Sequence, residues 1–245
     1  MKRAVALALG LWLAGCGDDS APRSAVDCTA TEDLILQPIA DFEVPPVNGW
    51  EANSDGTGEM AVRDVVEIEN GGRCGSTTAL HVYGGPYSDY GGGLYHGTND
   101  VDPNVPDGEP EYNVGTDASA WDGIVFWARA MPAGRKNIRL DVSDLNTDDF
   151  RNDPKKFMGP ANPDGCTPNA PEDGPSIGCD KFGSFATLGD EWRAFALDFV
   201  EMRQAGWGLQ QKRFATEDVW SLNFSFAHGY WDFWIDDVAF FRRKR

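Results

Sequence analysis

Between Trp220 and Phe226 (WSLNFSF) the chain alternates apolar and polar side chains without a break. A repeat of two is the period of a β-strand with one face buried, and no helix can present that pattern to a core. Trp220, Leu222, Phe224 and Phe226 are expected inward, and Ser221, Asn223 and Ser225 outward. The period recurs in Asn137–Ser143 (NIRLDVS), with Ile138, Leu140 and Val142 inward and Arg139, Asp141 and Ser143 outward. It recurs again in Gly123–Ala130 (GIVFWARA), where Ile124, Phe126 and Ala128 share one face and Val125, Trp127 and Arg129 the other. Further strands are expected over Thr78–Tyr83, Glu191–Phe199 and Trp231–Phe241. Only Val200–Ala205 reads as helical, a turn or two stopped by Gly206. The 245 residues include 28 Gly and 15 Pro, which break helices and suit many short strands. The expected fold class is all-β, two antiparallel sheets packed face to face as a jelly-roll sandwich. Two long loops, 99–116 and 146–183, interrupt the strands, and loops of that length in a compact domain are commonly functional.

The N-terminal residues read as targeting sequence. Lys2 and Arg3 precede an apolar run, Ala4–Leu13, that is too short to span a bilayer. Leu13-Ala14-Gly15-Cys16 resembles a bacterial lipobox, in which the chain is cut before the cysteine and the cysteine carries lipid. The expected organisation is a signal peptide over 1–15, a lipidated tether over 16–33 and a single domain over 34–245. Gly17, rather than Asp, follows Cys16, which favours the outer membrane of a bacterial cell envelope. A formal charge of −18 excludes ordinary nucleic-acid binding, since phosphate affinity is mostly cationic. The same charge opposes adhesion to anionic lipid, so a membrane is a partner only through the lipid anchor.

Four cysteines remain besides Cys16. In an exported chain an even number favours disulfides, and four cysteines allow three pairings. Cys166 and Cys179 flank a loop rich in Pro, Gly and Asp. Closing it limits its entropy, worth roughly 3 kcal/mol in the loop-closure picture. Cys28 with Cys74 then follows by elimination. A zinc site is disfavoured, because there is no CxxC and only three histidines, His81, His96 and His228, stand far apart in sequence.

Several segments together resemble a known family. They are Ile39-Ala40-Asp41-Phe42-Glu43, Ser54-Asp55-Gly56-Thr57-Gly58, Ala79-Leu80-His81-Val82 and Tyr90-Gly91-Gly92-Gly93. Asp117–Ile124 leading into Phe126-Trp127-Ala128-Arg129 follows, then Gln204-Ala205-Gly206-Trp207-Gly208 and Trp234-Ile235-Asp236-Asp237-Val238. In this order they look like the galactose-binding-like β-sandwich of bacterial lipoproteins, similar to carbohydrate-binding modules of family 11 and to the complex I intermediate-associated proteins. The resemblance covers about residues 34–242. It departs at Cys179-Asp180-Lys181-Phe182-Gly183, where relatives often carry His in the place of Lys181.

The resemblance implies a structural calcium where the first and last strands meet. Glu43 with Asp41, and Asp236 with Asp237, would supply the oxygens that a hard cation prefers, with Asp237 the favoured ligand. The polar strand faces point to a sugar. If their strands are neighbours, Trp127, Arg129, Arg139, Asp141, Ser143, Asn223 and Ser225 form one face, rimmed by Tyr90 and Trp207. Aromatic planes suit the CH faces of sugars, and an Arg–Asp pair holds its own geometry. No GxSxG, HExxH or P-loop occurs, and His81 in mid-strand reads as structural. The chain is therefore expected to be a monomeric, non-catalytic binder of polysaccharide or cell-wall glycan with a structural Ca²⁺. The alternatives are a polysaccharide hydrolase or lyase, and an envelope protein-interaction scaffold. Cys16→Ser is expected to abolish lipidation and release soluble protein. Unchanged membrane fractionation of that variant would refute the lipobox reading.

Overall fold

The computed structural model describes residues 27–44, 49–57, 62–101, 113–168 and 177–245, with the backbone alone over 62–68 and at 101. Cys16 and its flanks lie outside the described residues. The strands, in chain order, are β1 (Leu34–Ala40), β2 (Trp50–Ser54), β3 (Val62–Asn70), β4 (Thr78–Tyr87), β5 (Gly92–Gly97), β6 (Asp100–Val101) and β7 (Asn113–Val114). They continue with β8 (Gly123–Ala130), β9 (Asn137–Asp144), β10 (Phe182–Thr187), β11 (Arg193–Asp198), β12 (Val219–Phe226) and β13 (Gly229–Arg243). Sheet A has the order β11-β8-β13-β4-β3, with β1 also on β13; sheet B has the order β10-β9-β12-β5-β2; β6 and β7 form a small ribbon. The two large sheets pack as an antiparallel sandwich. Among the described residues no helix is long and apolar enough to cross a membrane.

The core lies between the sheets and follows the period-two pattern. Leu80, Phe126 and Phe233 of sheet A meet Leu94, Leu140 and Phe224 of sheet B, all fully buried in one cluster. Phe126 and Phe224 touch across the interface edge to face, with ring centroids 4.9 Å apart. Full burial of such side chains contributes roughly 1.5–3 kcal/mol each. One expected inward residue departs from the pattern. A bulge between Val219 and Ser221 turns Val219 into the core. Trp220 instead packs edge to face on Phe157 of the long loop, at 5.5 Å.

The expected helix over Val200–Ala205 is reduced to a 3-10 turn, Phe199–Glu201. The backbone groups that would extend it are taken elsewhere. Arg203 exchanges hydrogen bonds with Gly183 (3.0 Å each way), and the Ala205 and Gly206 amides donate to the Asp180 carboxylate. Both disulfides form in the pairing favoured by the sequence, Cys28–Cys74 and Cys166–Cys179. The first ties the N-terminal segment to the turn after β3. The second ties the long loop to the residue before Asp180.

Candidate functional site

The outer face of sheet B is built by register. One row across all five strands runs Phe185, Arg139, Ser225, Gly93, Asn53, and the next runs Gly183, Asp141, Asn223, Tyr95, Glu51. Five strands at the usual spacing make a floor about 19 Å across. Neither Gly93 nor Gly183 could carry a side chain without displacing a neighbour. A Cβ at Gly93 would sit 2.6 Å from the Asn223 amide oxygen, and one at Gly183 2.7 Å from the Leu140 carbonyl. Neighbouring atoms thus already occupy the space beside these glycines, and no side chain rises from the floor there.

The charges on this floor are internally paired. Arg139 bonds Asp141 through one guanidinium nitrogen and donates from the other to the Arg203 carbonyl at 2.5 Å. Ser225 donates to the second Asp141 oxygen at 2.6 Å. Burial nevertheless pushes the Asp141 carboxyl up against the pull of Arg139. Lys181 lies 3.5 Å from Asp149 and above the Tyr95 ring. The Asn223 oxygen is buried and has no hydrogen-bond partner. Arg139, Asp141, Asp149, Lys181, Asn223 and Ser225, with Asn53, line a groove of about 480 Å³ whose rim carries Tyr90 and Trp207. Both rings are two-thirds exposed, at 68% and 67%. An exposed aromatic plane over a floor of hydrogen-bonding groups is suited to a flat, hydroxylated ligand.

The groove brings together six of the nine expected ligand-binding residues: Arg139, Asp141, Asn223, Ser225, Tyr90 and Trp207. The other three are elsewhere. Trp127 and Arg129 lie on sheet A, because the partners of β8 are β11 and β13 rather than β9. There Trp127, Trp192 and Trp234 form a second buried cluster on the outer side of the sheet. It is plated by cations, with the Arg73 guanidinium 4.8 Å from Trp127 and that of Arg129 5.0 Å from Trp234. His81 stacks on Trp234 at 4.3 Å and hydrogen-bonds Asp232 at 2.8 Å, a structural placement. Ser143 is on the correct sheet, but the long loop covers it. Its hydroxyl and that of Ser221 both bond the buried Asp148. Sequence reasoning missed Asn53, Asp149, Asp180 and Lys181 as groove residues. Of these only Lys181 stands out in the sequence, as a departure from a family pattern.

The four expected calcium ligands do not converge. Asp237 occupies a bulge at φ 45° and is ion-paired to Arg73, while Asp41 is exposed and caps the Glu43 amide at 3.2 Å. Glu43 and the buried Asp236 do approach a common point, the Ser76 hydroxyl. Burial pushes the Asp236 carboxyl up to about 6, Asp237 adding to the effect and the Arg73 amide opposing it.

The fold and this face define a jelly-roll sandwich whose sheet B carries an open, polar, aromatic-rimmed groove on its outer side. No protein-family model matches the chain, and no curated protein matches it in sequence. Solved structures do share the fold. The family 11 carbohydrate-binding module of a cellulosomal cellulase of Clostridium thermocellum superposes with a TM-score of 0.51 at 15% identity, over 84% of this chain and 94% of the module. A family 11 module of the same organism in complex with a β-1,3-1,4-mixed-linked tetrasaccharide matches at 0.49 and 16% identity, with the same coverage. An agarase matches at 0.45 and 8%, over 86% of this chain and 26% of its own. The first of these carries the fold assignment, a two-sheet jelly-roll sandwich, and at such identities the likeness is one of fold alone.

The sheet assignment of Trp127 has a measurable consequence. Trp127 is only 1% exposed and far from the groove, so Trp127→Ala should destabilise the domain by about 3–5 kcal/mol. Ligand affinity of the molecules that remain folded should be unchanged. Urea denaturation that returned wild-type stability would contradict this placement.

Proposed function

We propose that the chain is a non-catalytic, envelope-anchored glycan-binding module that takes neutral polysaccharide in the sheet B groove. The observation that carries the reading is the groove itself: paired charges and an unpartnered amide oxygen below, two exposed aromatic rings above. Hydroxyls can donate to Asn223 and accept from Arg139 or Lys181, while Tyr90 and Trp207 offer planes to the CH faces. The acids in and beside the groove are engaged. Asp141 is held by Arg139 and Ser225, Asp149 faces Lys181, and Asp180 is saturated by backbone amides. This favours binding over the two-carboxylate chemistry of glycan hydrolysis. Anchoring through a lipidated Cys16 completes the reading.

The test is affinity electrophoresis and pulldown on soluble and insoluble glucans, xylans and peptidoglycan. Tyr90→Ala and Trp207→Ala should each weaken retention about tenfold, the share of one aromatic contact, with little change in melting temperature. Absence of retention on every glycan would end the proposal, and release of reducing ends or unsaturated product would replace it with an enzyme.

We further propose a structural Ca²⁺ held by Glu43 and Asp236, with Asp237 engaged by Arg73 instead. The donor set fits a hard cation. The Ser76 hydroxyl carries one proton, yet it faces a Glu43 carboxylate oxygen, the Asp236 carboxylate and the Thr78 carbonyl at 2.8 Å. A Cβ at Gly72 would sit 2.3 Å from the Ser76 hydroxyl oxygen and 2.4 Å from the Thr78 carbonyl, so the turn packs closely around this donor set. Ion binding to the folded state adds stability by mass action, about 2.7 kcal/mol at a hundredfold excess over Kd. Melting temperature should therefore fall in chelator, and Glu43→Gln should shrink the difference. The pH dependence has a definite sign. A carboxyl raised in the folded state stabilises most below its unfolded pKa, and that contribution is lost as pH rises through about 6. The chelated protein should thus lose stability over pH 4 to 6 from this group, and calcium should remove that loss. Identical melting with calcium and with chelator, together with no calcium by elemental analysis, would refute the site.

A further inference from the structure

The two aromatic rings at the groove rim share a mode of attachment. Asp55 lies 35 residues before Tyr90 in sequence, yet its carboxylate accepts the amides of Asp89 at 3.0 Å and Gly91 at 2.8 Å, on either side of that tyrosine. Its other oxygen accepts the Thr57 amide at 2.9 Å and hydroxyl at 2.7 Å, and the same hydroxyl accepts the Ser88 amide. The Tyr90 phenol then donates to the Ser54 carbonyl at 3.1 Å. Despite some desolvation, these donors hold the Asp55 carboxyl down to about 2. Across the groove, the fully buried Asp180 accepts the amides of Ala205 at 3.0 Å, Gly206 at 2.6 Å and Trp207 at 3.2 Å, with Gln210 at 3.1 Å. Gly206 takes φ 95°, which turns these amides toward one point, and the Trp207 ring rests directly on Gly178.

We propose that Asp55 and Asp180 are positioning residues of the groove, each fixing one exposed aromatic ring by gathering the backbone amides of the turn that carries it. The inference rests on the glycan reading of that groove. Both oxygens of each carboxylate already accept donors of the turn, and Asp180 is fully buried, so each acts through its ring. A ring fixed before binding loses less freedom on contact, and affinity rises without a new contact. The second carboxylate is itself held by the Cys166–Cys179 bridge, since Cys179 is its neighbour in sequence.

The test is a pair of double-mutant cycles with the β-1,3-1,4-mixed-linked tetrasaccharide as probe, alongside amide exchange on the ligand-free protein. Asp55→Ala and Asp180→Ala should each weaken probe binding about tenfold, as loss of the ring would. Asp55→Ala should have no further effect in Tyr90→Ala, nor Asp180→Ala in Trp207→Ala. Amides 89 and 91, or 205–207, should exchange faster in the respective variant. Unchanged affinity in the single variants, or full additivity in the doubles, would overturn the proposal. Should Asp180→Ala fail to fold, Asp180→Asn, which keeps one accepting oxygen, should show a smaller shift of the same sign; no shift overturns the claim for Asp180. If the wild type binds no glycan, the functional reading fails on its own. Positioning is then judged by amide exchange and by the ring mobility of Tyr90 and Trp207 in nuclear magnetic relaxation, and unchanged values in the variants would overturn it.

Discussion

The sandwich depends on one strand. β13 runs for 15 residues and pairs with β8 on one side between Phe233 and Phe241, and with β4 and then β1 on the other. One side belongs to β8. The other is divided, with β4 reaching Leu80 opposite Ile235 and β1 beginning with Ala40 opposite Val238. The change of partner falls at the bulge of Asp236 and Asp237. A strand that exchanges one neighbour for another exposes backbone groups at the junction, and these must be satisfied locally. The Asp237 amide donates to the Asp236 carboxylate at 2.9 Å, the same carboxylate accepts the amide of Arg73, in the turn of Arg73 to Ser76, and the Arg73 side chain meets Asp237. The Cys28–Cys74 bridge then binds that turn to the N-terminal segment. The acids of the junction are therefore part of the joint itself, which is why a cation held there would act on stability.

The two outer faces solve the problem of an exposed sheet in different ways. Sheet A is covered on its outer side around Trp127, Trp192 and Trp234. Three tryptophans lie flat under arginine side chains, whose stems and guanidinium planes exclude water while the charge stays near the surface. Sheet B leaves part of its outer side open and organises it by hydrogen bonds. The long loop covers one end through Asp148 and Phe157, and the open part is the groove.

Much of this was legible in the sequence, because a period of two reports which face a residue takes once the strand is known. Arg139, Asp141, Asn223 and Ser225 follow from that rule alone. Which strands are neighbours is a different kind of information. Trp127 and Arg129 obey the alternation, yet they belong to another sheet, since the chain crosses the sandwich between β8 and β9. Ser143 obeys it too, but a loop whose path no local pattern encodes lies over it. Trp220 shows the remaining failure, a bulge that reverses the alternation by one residue. Asp180 gave no local signal at all, for its partners are 25 to 30 residues away. The Asp55-Gly56-Thr57 turn was visible as a local motif, whereas its hold on the Tyr90 turn was not.

Charge selects among the ligands that such a groove could hold. The chain carries −18, and within the groove each cation already faces an acid or a carbonyl. A uronate or sulfated chain would approach against the field of the whole molecule and find no free cation on arrival. Breaking the Arg139–Asp141 pair to receive it would strand a carboxylate that is 6% exposed, and an uncompensated buried charge costs more than a new ion pair with the ligand returns. A neutral chain meets neither obstacle. Its hydroxyls can enter the existing network at Asn223 and at the unused lone pairs and protons of Ser225 and Lys181, leaving every ion pair intact. The proposed binding is compatible with so polar a face for the same reason. The polar groups are fixed against one another before any ligand arrives, so little ordering remains to oppose association.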